Sequence, residues 1–214
     1  MSYFCNMNED LRNILLKVRD LYMKYGIKSV TMDDVASEIG ISKKTLYQFV
    51  TDKDELVGKI VDHEIILRQK EICNCFRDGF NAVEELFEIS HFMNKQMREQ
   101  NPATEHDLRK YYPHHYEKIV KIRKEGIYNY ILLNLKKGKA EGLYRAEMDE
   151  EVIAKLYLSR SEIIRTNDLL TVEELTSVKI FQELLIYHVR GIATEKGIIV
   201  LGEMVEKLKT DNVI

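Results

Sequence analysis

Apolar residues recur three and four positions apart along most of this 214-residue chain, which is the spacing of one face of an α-helix. The first stripe ends before Gly26 and consists of Leu11, Ile14, Leu15, Val18, Tyr22 and Tyr25. No run alternates apolar and polar residues over the length of a strand. The pattern therefore predicts an all-α protein of roughly nine or ten helices.

Two short helices joined by a tight turn are predicted between Thr31 and Lys53. Thr31 is a candidate N-cap, and Asp34 three residues later can return its hydrogen bond. Gly40 stands where the chain must leave the first helix with positive φ, which glycine adopts without strain. Ser42 is the N-cap candidate of the second helix. This order is typical of a DNA-binding helix-turn-helix, whose second helix enters the major groove.

The apolar residues of the same segment agree with this interpretation. Leu46 and Phe49, three residues apart, give the second helix a buried side. The small side chain of Ala36 lets the two helices cross closely. A surface helical hairpin without a nucleic-acid partner is the other interpretation of the segment.

Further helices are predicted beyond this segment. A connecting helix begins at Lys53, with Thr51 or Asp52 as its N-cap, and ends near residue 76. The later stripes predict helices over residues 81–99, 104–111, 113–140, 149–167 and 172–194. The helix over 149–167 is expected to bury Val152, Ile153, Leu156, Ile163 and Ile164. Gly197 is expected to break the chain before a last amphipathic helix.

The charge of the chain is unevenly distributed. The net charge of −3 argues against a generally basic nucleic-acid coat protein, but a sequence-specific binder needs only a local basic surface. Residues 12–28 carry five basic side chains against Asp20 alone, and residues 29–41 carry three acids and no base. Residues 42–53 carry three basic side chains, Lys43, Lys44 and Lys53, and one acid, Asp52. The basic residues thus concentrate in the first helix and around the second helix of the motif.

Several kinds of site are not expected. The three cysteines, Cys5, Cys73 and Cys75, have neither disulfide nor zinc spacing, so we expect reduced thiols. No catalytic or glycine-rich phosphate-binding constellation is present, so we predict neither an enzyme nor a cofactor. The sequence shows no apolar leader and no stretch long enough to span a bilayer. We therefore expect a soluble, cytoplasmic protein with no membrane partner.

Histidines and tyrosines near residue 113 raise two further possibilities. His106, His114 and His115 suggest a metal site, but adjacent side chains on a helix diverge by about 100°. No acidic or cysteine partner has ligand spacing, so we predict no metal. A second cluster could line an effector pocket or pack in the core and interface, and it contains Tyr111, Tyr112, Tyr116, Tyr128 and Tyr130.

The order of elements resembles that of the TetR family of transcriptional regulators. The resemblance in motif covers roughly residues 8–60, and the residues that carry it are Thr31, Met32, Val35, Ala36, Ile39, Gly40, Ile41, Ser42, Lys44, Leu46, Tyr47, Phe49, Lys53 and Leu56. Two departures are Lys44, where the family often has Gly, and Val50, where it has Phe. The resemblance implies a DNA-binding domain over residues 1–53, a connecting helix over 53–76, and an effector-binding and dimerisation domain over 54–214.

The resemblance also implies roles for individual residues. Ser42 caps the recognition helix, and its exposed face carries the base or phosphate contacts Lys43, Lys44, Thr45 and Gln48. Tyr47, Thr31 and Lys53 are expected to hold phosphates of the DNA backbone, with amides of helix N-termini assisting. Glutamine suits a bidentate contact to adenine, and lysine suits a contact to guanine.

The resemblance implies a homodimer that represses transcription until an unidentified small-molecule effector releases it from double-stranded DNA. Helices near 149–167 and 172–194 are expected to pair with their symmetry mates. Two recognition helices would then read a palindromic operator whose half-sites lie about 34 Å apart.

An all-helical ligand carrier or interaction protein that has lost DNA binding is the alternative. The acids Asp33, Asp34 and Glu38 beside the motif keep this alternative open, because they would repel phosphates.

Overall fold

The structure is a computed structural model that describes residues 9–74, 79–99, 101–166, 170–171, 174 and 177–210. These residues form α-helices, with one isolated antiparallel bridge between Tyr144 and Ala193. The predicted all-α class is confirmed. Within the described residues, no helix combines the length and the apolar character needed to cross a membrane.

In the part of the chain that the structure describes, ten helices have defined bounds. They are α1 Glu9–Tyr25, α2 Met32–Ile39, α3 Lys43–Leu46, α4 Lys53–Asn74, α5 Ala82–Glu99, α6 Pro102–Tyr111, α7 Pro113–Ala140, α8 Glu150–Thr166, α9 Val178–Ile192 and α10 Glu195–Thr210. The predicted end of the connecting helix near residue 76 lies outside the described residues.

The chain divides into two compact units. The N-terminal unit consists of Met1–Lys70 with Gln100–Ile122, and the C-terminal unit consists of Glu71–Glu99 with Arg123–Ile214. By its internal packing, the N-terminal unit thus includes most of α4, all of α6 and the start of α7. The division of functions at residues 53 and 54 stays a prediction.

The N-terminal unit is built on the stripe predicted for α1. Leu15 and Val18 are buried with Val35 of α2, Leu46 of α3 and Leu56 of α4. The core therefore joins four helices, none of which could bury its apolar face alone.

Helix α6 completes the N-terminal unit by satisfying the end of α1. The last carbonyls of a helix lack partners within it. The Thr104 hydroxyl donates to the Tyr22 carbonyl at 2.9 Å, and the Asn101 amide donates to the Met23 carbonyl. The Asp107 carboxylate accepts from the Lys28 amide at 2.7 Å, just beyond the helix. The sequence indicated helix α6 but not this docking.

The C-terminal unit has an apolar core with a buried polar network inside it. Glu85 accepts a charged hydrogen bond from Lys137 at 2.5 Å, and Asn134 donates to the Ala82 carbonyl at 2.8 Å. The Tyr144 hydroxyl donates to the Asn134 side chain at 3.1 Å. Each member of the network therefore has a partner, which burial requires.

Two predictions about the last helices are wrong. Val152 and Leu156 are 49% and 60% exposed, and α8 instead buries Ala154, because periodicity gives a stripe but not the face that packs inward. Gly197 lies inside α10, and the chain breaks at Ala193 and Thr194. Side chains of Ile163 and Ile164 lie outside what the structure describes.

Gly197 is required for packing and not for a turn. A Cβ on this residue would collide with the Leu143 carbonyl oxygen. Thr194 begins α10 instead, because its hydroxyl accepts from the Gly197 amide at 3.2 Å.

Candidate nucleic-acid interface

The start of α2 is fixed by a reciprocal pair of hydrogen bonds. The Asp34 amide donates to the Thr31 hydroxyl at 3.2 Å, and the Thr31 amide donates to the Asp34 carboxylate at 2.8 Å. The hydrogen bonds that the Asp34 carboxylate accepts from the Thr31 amide, and secondly from the Thr31 hydroxyl, lower the pKa of Asp34 below its ordinary value. The predicted capping box is confirmed, and it sets where α2 begins.

The turn between α2 and α3 also has the predicted geometry. Gly40 has φ +77°, and both its amide and that of Ile41 donate to the Ala36 carbonyl. Ala36 is buried, as expected of a small residue at a close crossing. A left-handed residue costs about 1–2 kcal/mol when it is not glycine, so Gly40 sets the angle at which α3 leaves the turn.

Helix α3 is short and continues as a tighter turn. Ser42 caps it, since its hydroxyl accepts from the Thr45 amide at 3.0 Å. After Leu46, the Gln48 amide donates to the Thr45 carbonyl at 3.1 Å, a three-residue spacing typical of a 3₁₀ turn. Val50, one of the two departures from the family pattern, closes this turn as a buried residue.

The structure brings most of the predicted DNA contacts onto one short stretch. The exposed members of the set are Thr31, Ser42, Lys43, Lys44, Tyr47 and Gln48, whereas Thr45 and Lys53 are partly buried. The Thr45 hydroxyl lies 2.7 Å from that of Ser42. Their roles toward DNA stay predictions.

The two lysines at the start of α3 have different surroundings. The Lys43 ammonium lies 2.9 Å from the Asp33 carboxylate of α2, which raises the pKa of Lys43. Among the described residues, Lys44 has no ion pair. To contact DNA, Lys43 would have to leave the Asp33 carboxylate, whereas Lys44 has no such ion pair to break among the described residues.

Lys53 is engaged with the protein itself. Its ammonium donates to the carbonyls of Ile27 and Val30 at 2.6 and 2.5 Å, and burial lowers its pKa. Two carbonyls of the segment between α1 and α2 thus find a donor. Lys53 therefore stabilises the loop between α1 and α2, a role that the sequence did not indicate.

The first turn of α4 is capped through Glu55, which bonds two different residues before the helix. Asp52 accepts from the Glu55 amide at 2.8 Å, and the Thr51 amide donates to the Glu55 carboxylate at 2.6 Å. The Thr51 backbone bond, followed by Lys59, lowers the pKa of Glu55 to about 2. Thr51 and Asp52, which the sequence offered as alternative N-caps, thus both bond the first turn of α4.

The expectation that the adjacent histidines diverge and have no acidic partner is wrong. His114 and His115 lie in the first turn of α7, and their Nε2 atoms lie 3.4 and 3.5 Å from the Asp54 carboxylate of α4. The 100° divergence applies to Cβ directions, but the rings turn toward each other, with centroids 3.8 Å apart. Tertiary packing supplies the acidic partner that sequence spacing did not show.

The predicted tyrosine cluster is divided between the two units. Tyr112 and Tyr116 pack against the N-terminal core, and Tyr111 is exposed beneath the Lys28 ammonium. Tyr128 and Tyr130 belong to the core of the C-terminal unit. Packing therefore accounts for most of these residues, as one of the two interpretations had it.

The sequence profile of the bacterial regulatory proteins of the tetR family matches residues 14–60. An uncharacterized HTH-type transcriptional regulator of Bacillus subtilis (strain 168), YvaF, is 31% identical over 85 residues, which are 39% of this chain and 45% of that protein. The chain thus spans less than half the length of this curated relative.

Two solved structures are similar over most of the chain. A transcriptional regulator from Cytophaga hutchinsonii ATCC 33406 has a TM-score of 0.74 at 18% identity, covering 87% of this chain and 100% of that one. AibR, solved in complex with isovaleryl coenzyme A and operator DNA, has a TM-score of 0.53 at 18% identity, covering 80% of this chain and 96% of its own. At these identities the likeness is one of fold.

Proposed function

Because this chain belongs to the tetR family of bacterial regulatory proteins through its N-terminal unit, we propose that it is a sequence-specific DNA-binding transcriptional regulator. The observation that carries the proposal is the capped α2–turn–α3 segment with its exposed polar face. A buried Leu46 holds α3 on the core, while Lys44, Tyr47 and Gln48 remain exposed for DNA. Direct base readout requires such a rigidly held helix in the major groove.

Individual contacts follow from the chemistry of each side chain. Lys44 and Gln48 are proposed to read base edges, with Lys43 joining them once it leaves Asp33. Thr31 and the Tyr47 hydroxyl are proposed to bind phosphates and fix the register. Lys53 is proposed to act on DNA mainly by holding the α1–α2 loop, given its two carbonyl contacts.

We propose that the regulator is a homodimer through α8 and α9. Val152 and Leu156 lie four residues apart on α8, and Tyr187 of α9 is 77% exposed. Exposed apolar residues at helical spacing are costly in water unless another surface covers them. A two-fold axis would let the same faces of two chains cover each other.

Sedimentation tests the dimer. A Leu156→Glu variant should sediment near the 25.2 kDa of one chain, whereas the wild type should sediment at about twice that mass. Leu133→Glu is the matched control, since Leu133 is 61% exposed but lies on α7. An unchanged mass for Leu156→Glu would contradict this interface.

We propose that a small effector binds a cavity between α5 and α9 and releases the DNA. The lining residues are Phe87, Ser90, His91, Asn94, Val178, Phe181, Gln182 and Leu185, around a cavity with about 20 Å³ of space for water-sized molecules, so an effector would have to widen it. The Gln182 side-chain nitrogen is buried there without a hydrogen-bond partner among the described residues. A small, largely apolar ligand with a carbonyl or carboxylate oxygen would satisfy it.

The effector can act only by binding the DNA-competent and DNA-incompetent states with different affinities. The structure of AibR with isovaleryl coenzyme A and operator DNA supports this combination of ligands for the fold. A Gln182→Leu variant should keep DNA binding but lose release by the effector. Loss of DNA binding in that variant would show instead that Gln182 serves the fold.

A gel shift with the DNA upstream of the protein's own gene separates regulation from the alternative of a helical carrier. Retardation that survives excess competitor DNA supports the regulator. Absence of retardation even at low salt would support the carrier, in which the acids Asp33, Asp34 and Glu38 would repel phosphates.

A further inference from the structure

The N-terminal unit holds a cluster that neither DNA binding nor the α3 motif uses. Asp54 lies in the first turn of α4, and Pro113 begins α7 so that His114 and His115 fall in its first turn. The ligand atoms of the three residues all lie within 4.8 Å of one another. We propose that these three side chains form a binding site for a divalent transition-metal ion of the zinc class.

The two nitrogen–oxygen separations in the cluster fit such an ion, and the two nitrogens lie within 4.8 Å of each other. Zinc binds imidazole nitrogen and carboxylate oxygen at about 2.0–2.1 Å, so ligand atoms at the corners of a tetrahedron lie about 3.3–3.4 Å apart. The two nitrogen–oxygen separations here are 3.4 and 3.5 Å. An ion can therefore enter between the rings and the carboxylate with small side-chain rotations.

Gly58 makes the position of one ring possible. A Cβ on Gly58 would lie 2.5 Å from Cε1 and 3.0 Å from Nε2 of His115. Glycine inside a helix costs about 1 kcal/mol relative to alanine, and here it gives the ring room against α4. His115 exposes only 14% of its side chain, so this ligand is held in place before an ion binds.

Binding of a metal ion requires His115 to give up an existing hydrogen bond. The His115 Nε2 atom also lies 3.1 Å from the Asp54 carbonyl oxygen, a hydrogen bond that gives way to the metal bond. His114 and Asp54 expose 60% and 50% of their side chains. Water can therefore complete the coordination, as in sites with three protein ligands.

The donor set selects the class of ion. Two imidazoles and one carboxylate suit zinc, nickel and cobalt, whereas magnesium and calcium prefer oxygen ligands alone. The bound ion would join the first turn of α4 to the first turn of α7 inside the N-terminal unit. It would thus stabilise the start of α4, which follows the turn after α3.

Calorimetric titration of CoCl₂ into the untagged full-length protein tests the site. We expect one ion per chain, a rise in melting temperature with CoCl₂, and a visible cobalt absorption band of low coordination number. His114→Ala should weaken binding by about tenfold or more, and Asp54→Asn should do the same. His114 is exposed, so its replacement should leave the metal-free melting temperature nearly unchanged.

Two variants serve as controls. His106→Ala removes an exposed histidine from the same unit, and Cys73→Ser removes an exposed thiol, so both should bind cobalt as the wild type does. Absence of binding by the wild type overturns the proposal, and so does equal binding by wild type and His114→Ala. Because the titration uses no DNA, its outcome is independent of whether the protein is a regulator.

Discussion

The α2–α3 segment with the start of α4, and the polar network in the core of the C-terminal unit, are specified over different distances along the chain. In the N-terminal unit, the caps join residues three or four positions apart: Thr31 with Asp34, Ser42 with Thr45, and Thr51 with Glu55. In the C-terminal unit, the polar bonds inside the core join distant residues, such as Lys137 with Glu85. Because the caps are local, the geometry of α2 and α3 can be predicted from the sequence. The C-terminal network forms only after the helices have packed.

Removing a member of the distant network should have the largest effect. Glu85→Ala leaves the Lys137 ammonium with the Phe80 carbonyl and the Glu141 carboxylate at 3.8 Å, and leaves Asn134 with fewer partners. Breaking a fully buried pair costs about 3–5 kcal/mol. Since Lys137 exposes 34% of its side chain, we expect a loss of about 2–3 kcal/mol in the free energy of unfolding.

Urea denaturation followed by circular dichroism measures this loss. Glu88→Ala is the control, because Glu88 lies on the same helix and is only partly buried. A cost below about 0.5 kcal/mol for Glu85→Ala, the size of an ordinary surface substitution, would show that the network contributes little.

A local change in the N-terminal unit should cost less. Gly40→Ala places a Cβ at φ +77°, which we expect to lower the free energy of unfolding by about 1–2 kcal/mol. No atom lies within 4 Å of that Cβ, so the cost is one of backbone conformation alone. Gly40→Asn should recover most of the loss, because asparagine tolerates this region. Equal losses for both variants, measured by urea denaturation, would contradict a cost that depends on how well the residue tolerates positive φ.

The contrast between local and distant bonds explains which predictions succeeded. The capping box, the Gly40 turn and the buried Ala36 were predictable because each depends on a few neighbouring residues. The exposure of Leu156 was not, because helical spacing alone does not identify the inward face. The convergence of His114 with Asp54 was also missed, since those residues are brought together only by packing of α4 with α7.

Acid should destabilise the C-terminal unit through one buried histidine. Burial, followed by the charge of Arg160, lowers the pKa of His188 from 6.5 to about 3. Below pH 6.5 the unfolded chain therefore binds a proton that the folded chain does not, and stability falls as the pH falls. We expect a loss of about 1 kcal/mol between pH 6.5 and pH 5.5 from this residue.

Denaturation at both pH values measures the loss, and a His188→Phe variant should lack it. Glu55 titrates in a lower window, because its folded pKa of about 2 lies below its ordinary value of 4.5. Its contribution is complete above pH 4.5 and is lost as the pH falls toward 2. If His188→Phe kept the full dependence above pH 5.5, another group would be responsible.

The smallest expected effect concerns the ion pair beside α3. Asp33→Asn frees Lys43 for DNA, and because an exposed ion pair is weak, affinity should rise only roughly 1.5- to fivefold. Glu38→Gln removes the same charge from α2 without freeing Lys43. Fluorescence anisotropy with labelled DNA should show the larger rise for Asp33→Asn, and equal rises would assign the effect to net charge alone.

The proposal that α3 reads DNA is tested most directly by one anisotropy experiment. Labelled duplex from upstream of the gene is titrated with wild type and with Lys44→Ala at several salt concentrations, in excess competitor DNA. The wild type should bind, and Lys44→Ala should bind at least several-fold more weakly, with a shallower salt dependence if Lys44 holds a phosphate. Failure of the wild type to bind at low salt, or identical affinities and salt slopes for both proteins, would contradict the proposal.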